Sequence, residues 1–281
     1  MNELITPEEL IKLAIREDVG DGDHTSLASI PDSATGKARL LIKEDGILAG
    51  VEVARIVFRE FDPSVTFQVF IEDGTTVYPG DIAFEVSGRV QTLLTAERLV
   101  LNYMQRMSGI ATYTHQMVKL LDGLNTRLLD TRKTTPNMRI FEKMAVRIGG
   151  AFNHRFGLFD MILIKNNHVD HAGSITTAIE NTRLYLEKTG KRLQIEVEVR
   201  NFAELDEVMT VGGVDRVMLD NFDPEALARA VKLIGGRFET EASGGINHHT
   251  LRQYAETGVD FISVGALTHQ IKSLDMSLRA V

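Results

Sequence analysis

The second half of the chain alternates short apolar runs with segments of helical spacing. The apolar runs occupy residues 126–130, 160–164, 193–199, 214–220, 237–243 and 258–265. One helical segment has clear end signals, because Asp223 suits a cap, Pro224 suits a first turn and Gly235 suits a helix end. Similar signals recur over residues 135–149, with Thr135 as the cap. Six strand–helix units predict a parallel sheet forming a complete or incomplete α/β barrel, with a doubly wound open sheet as the alternative.

The first half of the chain has a less regular pattern. Residues 37–92 contain short β runs separated by Asp-Gly and Pro-Gly turns, interrupted by helical spacing over residues 49–62. Ahead of them, Thr6 and Glu9 have the spacing of a capping box around Pro7, which predicts a helix. This half is therefore expected to combine strands and helices in a domain of its own.

Two polar or glycine-containing segments need an interpretation. Residues 20–26, GDGDHTS, predict a loop, and the side chains that resemble metal ligands are interpreted as loop chemistry: Asp21, Asp23 and His24. Residues 95–121 predict a helix with Thr95 as its cap and with a break or bend at Gly109.

Composition excludes several classes of protein. The 281 residues carry a formal charge of -8 and no cysteine, so disulfides, thiolate metal sites and cysteine nucleophiles are ruled out. No run of 18 apolar residues predicts a membrane span, and the acidic start MNELITPEEL does not resemble a signal peptide. We therefore expect a cytoplasmic protein.

Positive charge is concentrated in one segment of this acidic chain. Residues 127–165 hold eight Lys or Arg against three acids, which makes the segment +5 and the remainder -13. Such a local inversion favours a pocket for a small anion over a nucleic-acid surface, which is normally basic over a wider area. We interpret Arg139, Lys143 and Arg147, spaced four residues apart, as the solvent face of a helix.

Charged residues and glycines follow the ends of the predicted barrel strands, where barrel enzymes place their chemistry. These strand-end residues are Arg132 with Lys133, Lys165, Glu198, Asp220, Ser243 with Gly244 and Gly245, and Gly265. The glycine turns suit a phosphate, and the two acids suit Mg²⁺ or sugar hydroxyls, with salt bridges to nearby cations as the alternative. The cations, together with His154 and Arg155, suit a dicarboxylate or a phosphate-rich substrate.

Taken in order, these segments resemble one family over nearly the whole chain. They are TAERLVLNYMQRMSGIAT, DTRKTTP, GGAFNHRFGLFD with ILIKNNH, EVEV, MLDNF, EASGGI and ISVGALTH. Together they are similar to quinolinate phosphoribosyltransferase. The resemblance implies a type II phosphoribosyltransferase fold, with an N-terminal α/β sandwich domain (1–112, to which 270–281 return) and an open, about seven-stranded α/β barrel (113–269). It also implies at least a homodimer.

The reaction implied by the resemblance joins quinolinate to phosphoribosyl pyrophosphate (PRPP) and releases pyrophosphate and CO₂, giving nicotinate mononucleotide for NAD synthesis. The quinolinate-binding residues implied are Arg98 (from the neighbouring subunit), Thr131, Arg132, His154, Arg155 and Lys165. The PRPP-binding residues implied are Lys133, Glu198, Asp220, Ser243, Gly244, Gly245, Val264, Gly265 and Ala266. Lys133, Lys165, Glu198 and Asp220 are the implied catalytic residues. Mg²⁺ would be bound mainly through PRPP, with Glu198 and Asp220 as further contacts.

The sequence departs from the family pattern at two positions, and three alternative functions compete with this interpretation. Asn166 stands where many relatives have an acid, and Gln270 stands where a small residue is usual, which puts fine specificity in doubt. The rivals are a molybdenum-transport-associated paralogue, a barrel lyase forming a Schiff base on Lys165, and a non-catalytic phosphate-binding regulator. The set of cations around Arg132 and Arg155 favours quinolinate over the paralogue's ligand. Neither a nucleic acid nor a membrane is expected as a partner.

Overall fold

The chain forms two compact units in the computed structural model, which describes residues 5–281. The first unit contains residues 5–115, Thr134–Gly150 and Leu267–Val281, and the second contains Gln116–Lys133 and Ala151–Ala266. The barrel domain predicted from the sequence included residues 134–150, whereas the structure groups them with the first unit. No described helix is both long enough and apolar enough to cross a membrane.

The first unit is built on a four-stranded antiparallel sheet in the order β12-β1-β5-β3. Its strands are β1 (Thr35–Ile42), β3 (Thr66–Val69), β5 (Ile82–Arg89) and β12 (Met276–Ala280). A short pair, β2 (Gly46–Ile47) with β4 (Thr76–Val77), lies outside this sheet. The helices of the first unit are α1 (Pro7–Val19), α2 (His24–Ser29), α3 (Val51–Phe61), most of α4 (Val90–Lys119), α5 (Arg139–Ile148) and part of α11 (Ala266–His269).

The first two helices begin at side-chain caps. Thr6 Oγ1 accepts the backbone N–H of Glu9 at 3.2 Å, and Glu9 accepts that of Thr6 at 2.7 Å, so the predicted capping box is confirmed. The loop predicted for residues 20–26 is wrong at its end, because Asp23 caps α2 by accepting the N–H of Ser26 at 3.1 Å. The carboxylate of Asp23 is therefore used in capping.

Helix α4 is longer and more continuous than predicted. It starts at Val90, so Thr95 lies inside it and donates its hydroxyl to the carbonyl of Gln91 at 2.8 Å. Gly109 does not break the helix. A Cβ there would lie 3.0 Å from Ile271 Cγ2 and 3.1 Å from the carbonyl carbon of Lys272, so this glycine permits a close approach of the chain near the C-terminus.

Helix α5 starts later than predicted, at Arg139. The expected start at residue 135 fails because Asn137 has a left-handed φ of 63°, which cannot continue an α-helix. Buried Glu142 accepts two hydrogen bonds from Arg106 of α4, at 2.6 and 2.8 Å. This ion pair explains why the segment belongs with the first unit.

The second unit contains a parallel six-stranded sheet in the order β6-β11-β10-β9-β8-β7. The strands are β6 (Arg127–Leu129), β7 (Ile162–Ile164), β8 (Ile195–Val199), β9 (Arg216–Asp220), β10 (Glu239–Ser243) and β11 (Phe261–Ser263). The helices between them are α6 (Asn166–Ala172), α7 (Ile175–Thr189), α8 (Phe202–Val211), α9 (Pro224–Ile234) and α10 (Leu251–Ala255).

The six predicted barrel strands are all confirmed, and so are the ends of α9, where Asp223 caps and Gly235 terminates. The barrel is open. A single parallel bridge between Leu129 and Phe152 extends the β6 edge, in place of the seventh strand expected from the sequence. The parallel direction of the strands brings their carboxyl ends to one edge of the sheet, where the candidate site lies.

Candidate active site

A cavity of about 530 Å³ lies at the carboxyl ends of the six parallel strands. It is lined by Thr131, Arg132, Lys133, His154, Arg155, Leu163, Lys165, Glu198, Met218, Asp220, Asn221, Ser243, Gly244, Gly245, Ile246, Ser263, Val264 and Gly265. Every site residue predicted from the sequence lines this cavity except Arg98, which is exposed on α4, and Ala266, which begins α11. The volume suits a small-molecule substrate pair.

Two arginines form one side of the cavity. Arg132 follows β6, and Arg155 lies in the segment before β7, where its Nη1 donates to the carbonyl of Met161 at 3.2 Å. Burial and the nearby positive charge of Arg132 lower the pKa of Arg155. Within the described part of the chain, Arg132 Nε is buried without a hydrogen-bond partner. Two like charges held together in this way favour an anionic ligand with two acceptor groups.

His154 lies beside these arginines, but its ring is directed at buried acids. Its Nε2 is 3.0 Å from Glu196 and 3.5 Å from Glu241, and its Nδ1 accepts the backbone N–H of Arg155 at 2.7 Å. Burial lowers the pKa of His154, but the two carboxylates outweigh it and raise the pKa to about 9. Glu196 and Glu241 thus orient this side chain and favour its charged form.

The acid pair belongs to a charged layer inside the barrel, beneath the cavity. Glu196 on β8 and Glu241 on β10 are fully buried, and Arg216 on β9 reaches Glu241 at 3.2 Å. Burial and the charge of Glu241 raise the pKa of Glu196. Burial also acts on Glu241, but His154 outweighs it and lowers its pKa. Removing one member would leave an uncompensated buried charge.

Asp130 at the end of β6 holds the segment that carries the arginine and histidine. It is fully buried, and it accepts the backbone N–H of His154 at 2.8 Å and the side-chain amide of Asn153 at 2.6 Å. A second acid, Asp160, accepts the N–H groups of the turn that follows Arg155. The cation side of the cavity is therefore positioned by carboxylates that face away from it.

Two carboxylates line the cavity at the ends of neighbouring strands. Burial raises the pKa of Glu198 at the end of β8, and the charge of Asp220 raises it further. Burial also raises the pKa of Asp220 at the end of β9. Glu198 accepts one backbone N–H, from Asn166, at a long 3.4 Å. Two partly buried acids with oxygen atoms facing a cavity are suited to a hard cation such as Mg²⁺ or to hydroxyl donors.

Glycine turns after β10 and β11 also line the cavity. Gly244 and Gly245 follow β10 with left-handed φ values of 102° and 64°, which require glycine. Gly265 follows β11 and directly precedes α11. Turns of this kind present backbone N–H groups to an anion, as the sequence predicted for a phosphate.

A cavity lined by an arginine pair, two carboxylates and glycine turns, at the carboxyl ends of the strands of an open α/β barrel, is typical of a type II phosphoribosyltransferase. Two family descriptions match the chain: quinolinate phosphoribosyl transferase, N-terminal domain, over residues 23–108, and its C-terminal domain over residues 110–279. The chain belongs to the quinolinate phosphoribosyltransferase family.

Individual relatives agree with this assignment. The chain is 45% identical to quinolinate phosphoribosyltransferase [decarboxylating] 1b of Nicotiana tabacum, over 96% of this chain and 81% of the relative. It is 41% identical to a probable nicotinate-nucleotide pyrophosphorylase [carboxylating] of Bacillus subtilis, over 96% and 92%. The solved structure of NadC from Streptococcus pyogenes matches with a TM-score of 0.91 at 41% identity, over 100% of both chains. The predicted family, enzyme class and fold class are confirmed.

The sequence analysis did not identify the residues that orient other residues of the site. Asp130, Glu241 and Asn221 were not singled out, although each lies in a segment quoted for its resemblance. Asp130 had a usable signal, because it ends a strand immediately before the Thr131-Arg132 pair. Glu241 had another, because strand periodicity places it on the face of Ser243.

Proposed function

We propose that the cavity transfers phosphoribosyl from PRPP to quinolinate with loss of CO₂, and that its two sides divide the substrates. The observation that carries this proposal is the Arg132–Arg155 pair sharing one cavity with the Gly244–Gly245 turn. The arginine pair suits a dicarboxylate, the glycine turn suits a phosphate, and the carboxylates of Glu198 and Asp220 suit the hydroxyls of the ribose that joins the two groups.

Quinolinate would bind on the arginine side. Arginine forks match carboxylates bidentately, so Arg132 and Arg155 suit the two adjacent carboxylates, with Thr131, His154 and Lys165 as further contacts. Acid and base chemistry from the protein is not central here, because the pyridine nitrogen is itself the nucleophile. The main contribution of this side is to hold that nitrogen in line with ribose C1.

PRPP would bind on the glycine side. The 5′-phosphate fits the turns at Ser243–Gly245 and Val264–Ala266, and Lys133 would lie near the pyrophosphate. Glu198 and Asp220 would hold ribose hydroxyls and contact Mg²⁺ carried by PRPP. Bound Mg²⁺ would offset the charge of the pyrophosphate leaving group.

The proposed reaction proceeds by one displacement and one decarboxylation. The nitrogen lone pair forms the bond to ribose C1 as the C1–O bond to pyrophosphate breaks. The resulting pyridinium accepts the electron pair left at ring C2 when the C2–carboxylate bond breaks and CO₂ leaves, and C2 then takes up a proton. Charge develops near the fixed cations of the cavity, so electrostatic positioning would supply most of the acceleration.

We also propose a homodimer in which Arg98 enters the partner's site, and a cytoplasmic location. The proposal of a shared site in a homodimer is supported by Arg98, which is exposed and does not line the cavity of its own chain. Mixing inactive Arg98→Ala with inactive Lys165→Ala should restore part of the activity if sites are shared, since a hybrid dimer would contain one intact site. Two mixed variants that stay inactive would overturn the shared site.

The division of substrates is tested by Arg155→Ala, with exposed Arg192→Ala as a matched control. We expect formation of nicotinate mononucleotide and CO₂ by the wild type from quinolinate, PRPP and Mg²⁺. Calorimetric titration of Arg155→Ala should show quinolinate binding weakened by at least tenfold while PRPP binding changes by less than twofold. Equal loss for both ligands would reject the division, and no product from the wild type would reject the proposed reaction.

A further inference from the structure

Asn221 occupies a strained position between the acids and the glycine turns. It follows Asp220 directly and has a left-handed φ of 58°, one of two non-glycine residues with positive φ among residues 5–281. A left-handed conformation is unfavourable for an ordinary residue, although asparagine tolerates it better than most. Residues with a strained backbone are concentrated at functional sites, so the position of Asn221 beside the cavity suggests a function.

The contacts of Asn221 join two strand ends. Its backbone N–H donates to the carbonyl of Ser243 at 2.9 Å, which ties the end of β9 to the end of β10. Its side-chain Nδ2 donates to Asp220 Oδ2 at 2.9 Å. Asn221 therefore holds the carboxylate of Asp220 with its side chain, while its backbone N–H binds Ser243, the residue that precedes Gly244.

Asn221 also packs against Gly244. A Cβ at residue 244 would lie 2.7 Å from Asn221 Cγ and 3.0 Å from Asn221 N, so no side chain fits there while Asn221 keeps its place. Gly244 has a φ of 102°. The amide of Asn221 and the missing side chain of Gly244 thus form one packed unit.

We propose that Asn221 is a positioning residue that couples the Asp220 carboxylate to the Gly244 turn and so sets the geometry of the PRPP side. This inference rests on the proposed function, which assigns both neighbours to PRPP. The hydrogen bond from the amide to Oδ2 fixes the orientation of the Asp220 carboxylate and therefore the direction in which Oδ1 can bind PRPP or its Mg²⁺. The backbone bond to Ser243 keeps that oxygen at a fixed offset from the phosphate turn.

Asparagine suits this position better than its nearest substitutes. Glycine would adopt the left-handed conformation without strain, but it has no amide to hold Asp220. Aspartate would tolerate the conformation, but it would place a second negative charge beside Asp220 and near the phosphate-binding turn. Asparagine is the residue that combines tolerance of positive φ with a neutral side-chain donor.

The test uses Asn221→Gly, with Asn137→Gly as a matched control. Asn137 is the other positive-φ asparagine and does not line the cavity, so both changes relieve the same backbone strain. We expect Asn221→Gly to keep its Tm within a few degrees, to raise the KM for PRPP about tenfold, and to leave quinolinate binding within twofold. The control should leave all three unchanged.

A second variant tests the effect of a negative charge at residue 221 in a side chain of similar size. Asn221→Asp should weaken PRPP binding more than Asn221→Gly does, because it adds repulsion to the lost donor. If the wild type forms product and Asn221→Gly shows a PRPP KM within twofold of it, the positioning role is overturned while the proposed function stands. Parallel loss of Tm and of binding for both substrates would also overturn it, in favour of a purely structural role. Failure of the wild type to bind PRPP would instead overturn the proposed function.

Discussion

The protonation of His154 offers a direct test of the charged layer beneath the cavity. The ring is buried, with Nε2 at 3.0 Å from Glu196 and 3.5 Å from Glu241, and these acids raise its pKa from an ordinary 6.5 to about 9. One contact opposes this, because the N–H of Arg155 donated to Nδ1 favours the neutral ring with its proton on Nε2. The protonation state depends on which of these two contributions to the free energy is larger.

A shift from 6.5 to about 9 corresponds to about 3 kcal/mol in favour of the charged ring. Protonation at Nδ1 leaves the N–H of Arg155 without its acceptor, which costs about 1–3 kcal/mol and so does not exceed the contribution of the acids. We therefore expect the acid pair to prevail and His154 to be an imidazolium at neutral pH. Since its folded pKa lies above its unfolded value, its contribution to stability is complete below about pH 6.5 and is lost as the pH rises through about 9.

The assay is an NMR titration of the histidine rings, with His154 assigned by the signal that disappears in His154→Gln. Glu196→Gln should lower the midpoint by at least about one unit, because it removes the nearer of the two carboxylates. Glu239→Gln is the control, since Glu239 is exposed and pairs with Arg216 at 2.9 Å. A wild-type midpoint between 6 and 7, or a midpoint that Glu196→Gln leaves in place, would refute the reasoning.

Three further substitutions probe the site and the scaffold. Gly244→Ala would force a side chain against Asn221 at a positive φ, so the KM for PRPP should rise by more than about tenfold while calorimetry shows quinolinate binding retained. Arg106→Ala should lower the free energy of unfolding in urea by about 3–5 kcal/mol, because it leaves the buried carboxylate of Glu142 without its cation. Thr6→Ala should cost only about 1 kcal/mol in the same assay, the usual value of a lost helix cap.

Local patterns predicted many of the single elements, although they missed the cap of α2 at Asp23 and the late start of α5. The six barrel strands and the caps of α1 and α9 follow from periodicity and from neighbouring residues, and all of them were predicted. Helix α4 was predicted too short, and Gly109 was misinterpreted, because the reason for that glycine is the approach of residues 271–272, some 160 positions later. No local pattern contains that contact.

The candidate site shows the same limit. Residues that line the cavity were found because strand ends of a parallel barrel converge, which is a property of the fold class. Asp130 and Asn221 were missed because their importance lies in a hydrogen bond to a residue elsewhere or in a backbone angle. His154 was predicted as a ligand of quinolinate, but its engagement with Glu241 joins positions 87 residues apart. Such couplings become visible only in three dimensions.

Two positioning systems act on different residues of one cavity, and this makes their independence measurable. Glu196 acts on His154 and the arginine side, whereas Asn221 acts on Asp220 and the glycine side. Since Glu196 acts on His154 and Asn221 acts on Asp220, the free-energy changes of Glu196→Gln and Asn221→Gly on kcat/KM should add within about 0.5 kcal/mol in the double variant. A larger interaction energy would mean that the central acids transmit changes between the sides. The separate binding of quinolinate and PRPP, measured by calorimetry on the same double variant, would then show which side responds.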